Sequence, residues 1–544
     1  MYNSNHEEQV PVLIVGGSIV GLSTALFLAL HGIQPLLVER HATTSIHTRA
    51  AGFNARTMEL YRQAGIESDI QRLETPPEQM GEIGLHVETL AGKELPTSEA
   101  KSHQQFQITN PFASPTRMAM IGQDQLEPVL QEHASALGCD IRFNTELIDF
   151  EQDTEGVHAH IRDRGTGSVH SIFARYLIAA DGNRSAIRQQ LGISTYGYGR
   201  LGQWVSILFQ TDLSHVLHGR NIALCFVNNP HVSGIIGQSQ NRWSLFANVE
   251  DSDDFSEERC RELVRAAIGL PDQPVKILSI LPWETASRVA THYQQGRVLL
   301  AGDAAHVMTT MGAFGANTGI ADAHNLAWKL ALVLKQKAPA RLLETYEQER
   351  QPAAELAVAV STGLYAYRLP QHKQREAILQ SAQEMLARVR KSPDAPDPTA
   401  FSVINGYRYR SAAILSEDDT EPTLFENEPS GRPGTRAPHV WLTQDSQRCS
   451  TLDLYGKQFV LLTGPEGQPW STAFTEAARQ LDIPLVSYTI GQHFHDQEGS
   501  FLASYGIGAL GATLIRPDGF IAWRSQQAND QPVTTLLRHL LCYE

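Results

Sequence analysis

Cysteine is scarce and scattered in this chain of 544 residues: Cys139, Cys225, Cys260, Cys449 and Cys542, with no C-x-x-C and no metal-ligand spacing among them. Neither a disulfide framework nor a metal site is expected, and the usage suits a reducing cytoplasm. No run of 18 apolar residues occurs, and Met1–Gln9 is polar and acidic rather than a charged segment leading into an apolar one. Neither a membrane span nor a secretory signal is read here. Blocks rich in Lys and Arg are missing too, and the formal charge of −15 argues against a nucleic-acid surface. What remains is a soluble, cytoplasmic chain, 42% hydrophobic and long enough for two or three domains with sizeable cores.

The most informative stretch is near the start. Val12–Val15 is apolar without alternation, as in a parallel strand buried on both faces. Gly16-Gly17-Ser18-Ile19-Val20-Gly21-Leu22 follows with no spacer, and Leu22, Leu26 and Ala29 keep helical spacing until Gly32. A second buried strand, Pro35–Val38, ends at Glu39. Each part has a use in a dinucleotide site. Gly16 allows the tight turn, Gly21 lets helix and strand pack closely, and the helix start around Ser18 and Val20 offers N–H groups to a pyrophosphate. Glu39, 23 residues beyond Gly16, stands where a carboxylate accepts from a ribose hydroxyl. The strict G-x-G-x-x-G pattern is broken at Ser18, which replaces its middle glycine. The alternative reading is a tight βα turn without a ligand.

Further along, Thr48–Tyr61 is a polar loop entering a helix, with Arg49 and Arg56 as candidate phosphate contacts. Residues 71–118 show no pattern. A helix from Gln123 to Leu137 carries Pro128 in its first turn and precedes a strand, Asp140–Phe143. The strand Ala174–Ala180 ends in Asp181-Gly182, where Asp181 either caps the next helix or meets a cofactor. From 192 to 290 the pattern alternates and is aromatic, an antiparallel sheet inserted in an α/β framework, its aromatics expected mainly in the core. Gly296–Ala301 is a strand ending in Gly302-Asp303. The loop Met311–Gly319, with Gly312, Gly315, Ala316 and Asn317, leads into a helix Ile320–Lys335, a second N-terminus for an anion. Asp303 can accept from a hydroxyl, and His306 reads as structural. Leu342–Glu349 and Glu376–Arg390 read as helices. Ser392–Pro398 is a breaker and Glu421–Pro438 has linker chemistry. A small α/β unit closes the chain: strand Phe459–Leu462, helix Ser471–Leu481, strand Leu485–Ile490, and a hairpin Ala512–Trp523 turning at Arg516-Pro517-Asp518-Gly519.

Three motifs in this order resemble the FAD-dependent aromatic hydroxylases of the p-hydroxybenzoate hydroxylase fold, the class A flavoprotein monooxygenases. They are Val15–Leu22, Arg49-Ala50 with Ala55-Arg56-Thr57 and Asp181-Gly182, and Gly302–His306 running to Asn317-Thr318-Gly319-Ile320 and Asn325–Lys329. Within that family the chain is similar to hydroxylases of polycyclic aromatic polyketides, of the aklavinone hydroxylase type, and to rifampicin monooxygenases. The resemblance implies a Rossmann-like FAD-binding domain at 1–190 and 285–400 and a mainly antiparallel β-sheet substrate domain at 191–284. It also implies a linker at 401–435 and a thioredoxin-like domain at 436–544 that lacks C-x-x-C. It implies further that Glu39 binds the adenosine ribose with Arg40 beside it, and that Arg49 and Gln123 lie along the FAD. Asp303 would hold the ribityl or pyrophosphate portion, Asp181 would bear on both FAD and NAD(P)H, and Gly312–Asn317 would lie against the isoalloxazine. Where the family usually has Pro-Pro after the Gly-Asp motif, this chain has Thr309-Thr310.

In such enzymes non-covalent FAD is reduced by NADPH or NADH, and reduced flavin with O₂ gives a C4a-hydroperoxide that delivers one oxygen to a substrate ring. A polycyclic aromatic substrate and O₂ are the implied partners, the enzyme acting as monomer or homodimer, and no residue is singled out as catalytic. One nucleotide fingerprint implies that NAD(P)H visits transiently. Baeyer–Villiger insertion on the same fold and a non-catalytic flavin- or drug-binding protein are the alternatives. Met308–Thr318 contains no Lys or Arg, which favours hydroxylation.

Overall fold

The computed structural model describes residues 7–47, 50–74, 81–95, 114–239, 242–250, 254–368, 373–392, 394–417, 423–527 and 532–543. Its first sheet is built on five parallel strands in the order β4-β2-β1-β5-β11. These are β1 (Glu8–Val15), β2 (Leu36–Val38), β4 (Asp140–Arg142), β5 (Val169–Ala179) and β11 (Val298–Leu300). A hairpin, 145–152 and 157–163, continues antiparallel from β5, and a short strand at 294–295 edges β11. Val12, Leu13 and Ile14 are fully buried, as an unalternating run in a parallel strand requires. Helix α1 (Ile19–Leu30) follows β1 through Gly16, whose φ is +111°. A Cβ on Gly16 would lie 2.2 Å from the Ala180 carbonyl oxygen, and one on Gly21 would lie 1.8 Å from that of Gly16, so the turn closes only with hydrogen at both positions.

Every parallel strand ends on one edge. Ser18, Glu39, Asp181 and Asp303 all leave the sheet there, although they span most of 300 residues of sequence.

The second sheet has the order β12-β10-β6-β9-β8-β7-β3. Its antiparallel strands are β6 (Thr195–Gln210), β7 (Ile222–Asn228), β8 (Ser233–Ser239), β9 (Arg242–Val249), β10 (Lys276–Ala290) and β12 (His306–Val307), and β3 (Glu82–Val87) adds in parallel to β7. The strand β3 lies in the stretch that showed no pattern; its parallel pairing depends on β7, far away in sequence. The two faces differ. Val205, Ile207, Phe209, Trp243 and Leu245 pack in a core with the helix Glu257–Ile268, whereas Trp204, Phe226, Ile235 and Phe246 are only half-buried on the other face. The aromatics expected in the core therefore divide between core and open face.

Four helices used below are α2 (Ala55–Gln63), α3 (Gln123–Ala136), α4 (Phe314–Leu334) and α5 (Glu344–Arg368). Two expectations are corrected. Helix α4 starts at Phe314, not Ile320: Ala313 enters it in the left-handed region (φ +54°), and the small residues 315–319 are helical because they pack tightly rather than looping. Helix α3 starts at Gln123 as expected, but Pro128, its sixth residue, sits in the second turn and not the first. Helix α5 also runs through Pro352 to Arg368, well beyond the expected end at Glu349, and a partner helix, Lys373–Arg390, packs along it.

The C-terminal unit is a four-stranded sheet, β14-β13-β15-β16, formed by β13 (Phe459–Thr463), β14 (Leu485–Thr489), β15 (Ala512–Ile515) and β16 (Ile521–Ser525). Gln468–Leu481 and Val533–Leu540 cover it. The chain leading to it is not loose. Tyr407, Tyr409 and Phe425 pack with Phe520, and Thr435, Arg436 and Ala437 are buried. The turn after β15 plugs into the first unit. Arg516 donates to Glu349 of α5 at 2.6 and 2.8 Å, Asn325 of α4 donates to Asp518 at 3.1 Å, and Arg56 of α2 donates to the Asp518 carbonyl at 2.9 Å.

Candidate cofactor and substrate site

Two helix N-termini converge on the shared strand edge. Ser18 and Ala313, the residues that open α1 and α4, make no side-chain cap, and neither first turn holds an acid. First-turn N–H groups left uncapped at a dipole's positive end form an anion site. Ser18 could have capped α1, but its hydroxyl turns away and donates to Glu127 Oε1 at 2.7 Å. Gln123 Nε2 donates to the same Glu127 oxygen at 2.6 Å and to Ser18 Oγ at 2.9 Å, and the Ser45 amide donates to Glu127 Oε2 at 2.7 Å. The break in the glycine pattern thus frees the α1 amides instead of blocking them.

Glu39 is docked on the same turn. Its carboxylate accepts from the Gly17 amide at 2.6 Å and from the His41 amide at 2.9 Å. Arg40 is exposed beside it, its carbonyl accepting from Arg164. Arg49 lies outside the described residues. Arg56, the other arginine of that loop, is no phosphate contact: it is buried, donates to Glu59 at 3.0 Å and faces the C-terminal unit.

Asp181 does two things. Its Oδ2 accepts from the Ile187 amide at 3.2 Å, while Ser185 caps the helix Ala186–Gln190, and its Oδ1 is buried without a partner. Burial raises its pKa above the usual carboxylate value, against the opposing pull of Ser185 and nearby amides. Asp303 is exposed in the turn that closes β11. Val20 packs between Gly302 and Gly319: a Cβ on either glycine would come within 2.8 Å of its methyls. The α1 start, the Gly-Asp turn and α4 are therefore packed directly on one another.

Gly312, at φ +82°, is exposed in a 3₁₀ turn just ahead of α4, and Gly315 and Ala316 are half-buried in the first turn of α4. Asn317 faces inward. Its Oδ1 accepts from the Asn54 amide at 3.0 Å and from Thr57 Oγ1 at 2.6 Å, and its Nδ2 donates to the Ala313 carbonyl at 2.7 Å. It braces the loop from behind. Buried Asp322 accepts from the Gly302 amide at 3.1 Å, from His306 Nε2 at 2.7 Å and from Arg350 Nε at 2.8 Å, and His306 is structural as expected. Burial works against the Asp322 charge, but His306 and Arg350 outweigh it and hold the carboxyl below its usual pKa.

The sequence reading missed Glu127, Asn54, Thr57, Asp322 and Arg350. Only Glu127 left a legible signal, being one helical turn from Gln123 on the same face. The open face of the second sheet forms a wall near the loop. Register places Leu281, Ser206, Phe246, Ile235, Phe226 and His86 in one cross-strand row. Trp204 and Trp283 stack with ring centroids 5.7 Å apart, and Met311 and Trp204 pack on the same Leu201–Tyr365 cluster. Among the described residues no group of His, Cys, Asp and Glu could hold a metal, and no helix is long and apolar enough to cross a membrane.

The donor set fits FAD: a glycine turn with no room for side chains, two uncapped N-termini for the pyrophosphate, and orphaned Asp181 Oδ1 at the same edge. A one-fingerprint parallel sheet paired with an antiparallel sheet and a C-terminal α/β unit is the architecture of class A flavoprotein aromatic hydroxylases. The chain belongs to that family of FAD-dependent monooxygenases: the FAD binding domain family matches residues 9–361, and the C-terminal domain of aromatic-ring hydroxylases matches 430–542. It is 41% identical to tetracenomycin B2 monooxygenase-dioxygenase of Streptomyces olivaceus over 97% of both chains. It is 42% identical to 4-methyl-5-nitrocatechol 5-monooxygenase of a Burkholderia species over 98% of both. The crystal structure of aklavinone-11 hydroxylase with FAD and aklavinone superposes with a TM-score of 0.87 at 36% identity, covering 99% of each chain.

Proposed function

We propose that the protein uses NAD(P)H and O₂ to hydroxylate a polycyclic aromatic substrate of polyketide type, working in the cytoplasm as a monomer or homodimer. The observation that carries this reading is the row Leu281–Ser206–Phe246–Ile235–Phe226, a mostly apolar wall in which Leu281, Phe246, Ile235 and Phe226 are half-buried and Ser206 is buried, with the Trp204–Trp283 stack at its side. Such a wall suits a flat fused-ring molecule, whose binding rests on buried apolar area and ring stacking. The relatives named for tetracenomycin and aklavinone support the same substrate class. The sheet unit around β6–β10 would serve as the substrate domain and the β1–β5–β11 unit as the cofactor domain.

Bound FAD would take a hydride from the nicotinamide and pass the electrons to O₂. The protein's own residues bind, orient and exclude water. The N–H groups of α1 and α4 would hold the pyrophosphate, Glu39 and Asp303 would accept from ribose and ribityl hydroxyls, and Gly312–Ala316 would lie along the flavin ring. Charge favours ring hydroxylation over insertion beside a carbonyl. Met308–Thr318 supplies no Lys or Arg, and Arg350, whose Nη2 reaches the Thr318 carbonyl at 3.1 Å, is already paired with Asp322. Among the described residues, this turn and the helix behind it offer no uncompensated cation to an anionic oxygen nucleophile. The test is turnover of a panel of polycyclic phenols under ¹⁸O₂. Label in a new ring hydroxyl supports the proposal; label in a ring-expanded ester, or no substrate-stimulated NAD(P)H oxidation, overturns it.

A further inference from the structure

Thr309 and Ser361 are both buried, at 2% and 0% exposure, and each holds the other. Thr309 Oγ1 lies 2.6 Å from Ser361 Oγ, and Ser361 Oγ donates to the Thr309 carbonyl at 3.1 Å. The Met311 amide donates to Thr309 Oγ1 at 3.2 Å. The protons balance in two ways: the Thr309 hydroxyl donates to Ser361 Oγ while Ser361 donates to the Thr309 carbonyl, or the Thr309 hydroxyl donates to the Ser361 carbonyl at 3.1 Å while Ser361 donates to Thr309 Oγ1; in both the Met311 N–H donates to Thr309 Oγ1. The ring of bonds joins the segment before Gly312 to α5.

The next residue of α5 makes the opposite connection. Thr362 Oγ1 donates to the Val358 carbonyl at 2.6 Å, which leaves it to accept from Ser287 Oγ at 2.7 Å, and Ser287 is a fully buried residue of β10. One helix thus grips the Met311 segment with Ser361 and the sheet that carries Trp283 with Thr362. A proline pair at 309–310 would fix this segment through its own backbone rings. Here Thr309 does so through hydroxyl bonds.

We propose that Thr309 and Ser361 form a positioning latch that holds the Met311–Ala313 turn at a set distance from the substrate wall, with α5 as the spacer. The proposal rests on the reading that this turn lies along the flavin ring. With the latch open, the turn would drift and admit water beside the cofactor, so that reduced enzyme would release H₂O₂ rather than hydroxylate.

The experiment uses the FAD-loaded full chain with Thr309→Val, which keeps the shape and removes the hydroxyl, Ser361→Ala as a second opening of the latch, and Thr309→Ser as rescue. Two quantities are read: amide hydrogen exchange across 308–314, and the H₂O₂ formed per NAD(P)H oxidised. Loss of a buried hydroxyl network should speed Met311 exchange roughly tenfold in Thr309→Val and Ser361→Ala. The H₂O₂ yield should rise at least twofold, while Thr309→Ser stays near wild type. Unchanged exchange and H₂O₂ yield in whichever opening variant folds overturns the latch, as does Thr309→Ser behaving like Thr309→Val. The exchange measurement needs no substrate, so failure of the aromatic-substrate reading leaves this test intact.

Discussion

Asp322 accepts a hydrogen bond from the Gly302 backbone amide at 3.1 Å, fully buried in the middle of α4, and so ties the Gly-Asp turn to the helix whose N-terminus faces the cofactor site. The same carboxylate binds His306 and Arg350. Asp322→Asn keeps the shape and removes the charge, leaving Arg350 buried without its anion. Breaking such a pair costs about 3–5 kcal/mol, and FAD should dissociate more readily because the Gly302 turn loosens. The pH dependence has a definite sign. The folded-state pKa of Asp322 is depressed, so its stabilisation is complete above the unfolded value and is lost as pH falls through the folded one. Wild type and Asp322→Asn should therefore differ in urea midpoint at pH 7 and converge in strong acid. A constant difference across pH would refute the assignment.

Asp181 predicts the opposite sign. Its folded pKa is raised by burial and its Oδ1 has no partner, so at neutral pH the ionised group destabilises the fold. Asp181→Asn should raise the apoprotein melting temperature at pH 7 by about 1–3 °C, in line with removing an incompletely satisfied buried charge of about 1 kcal/mol. The gain should vanish below the unfolded carboxylate pKa. If Asp181 serves the cofactor, the variant is also slower in NAD(P)H turnover. A lower melting temperature at pH 7 would show that capping the Ile187 amide is its main work.

The C-terminal unit should behave as part of the catalytic body, not as a tethered redox module. All five cysteines are free, Cys449 and Cys542 included. Arg516→Met leaves Glu349 and Asp518 short of a guanidinium that bonds to both. Denaturation followed by flavin release and by tryptophan emission should shift together to lower urea, by about 3 kcal/mol or more. Separate transitions, with flavin retained after the C-terminal unit melts, would contradict the coupling.

Local patterns made much of the fold legible. Val12–Val15 with Gly16 and Gly21, and Gly302-Asp303, each state strand, turn and helix within a few residues, and the structure brings their ends to one edge. What stayed hidden depends on partners distant in sequence. The strand β3 exists because β7 pairs with it, and Asn317 is used behind its loop because Asn54 and Thr57 occupy both sides of its acceptor. Composition misled where packing overrode it: the proline- and glycine-rich approach to the C-terminal unit is buried around Tyr409 and Phe520, whose rings stack 4.1 Å apart.

The last prediction separates wall from core on a single strand. Phe246 and Trp243 are three residues apart on β9 and so point to opposite faces. Phe246 is half-buried in the cross-strand row between Ser206 and Ile235, while Trp243 is 3% exposed within the core under the helix Glu257–Ile268. Phe246→Ala removes apolar contact worth roughly 1.5–3 kcal/mol to a bound ring system, or about tenfold or more in KM for a polycyclic substrate. FAD content and substrate-free flavin reduction should stay unchanged, because Phe246 stands on a different sheet from the one whose strand edge carries Gly16 and Asp303. Trp243→Ala should instead cost about 3–5 kcal/mol of stability through the cavity it leaves. Steady-state kinetics and urea midpoints on both variants decide the matter. If Phe246→Ala lowers the midpoint as much as Trp243→Ala while KM holds steady, the open face is core and the substrate lies elsewhere.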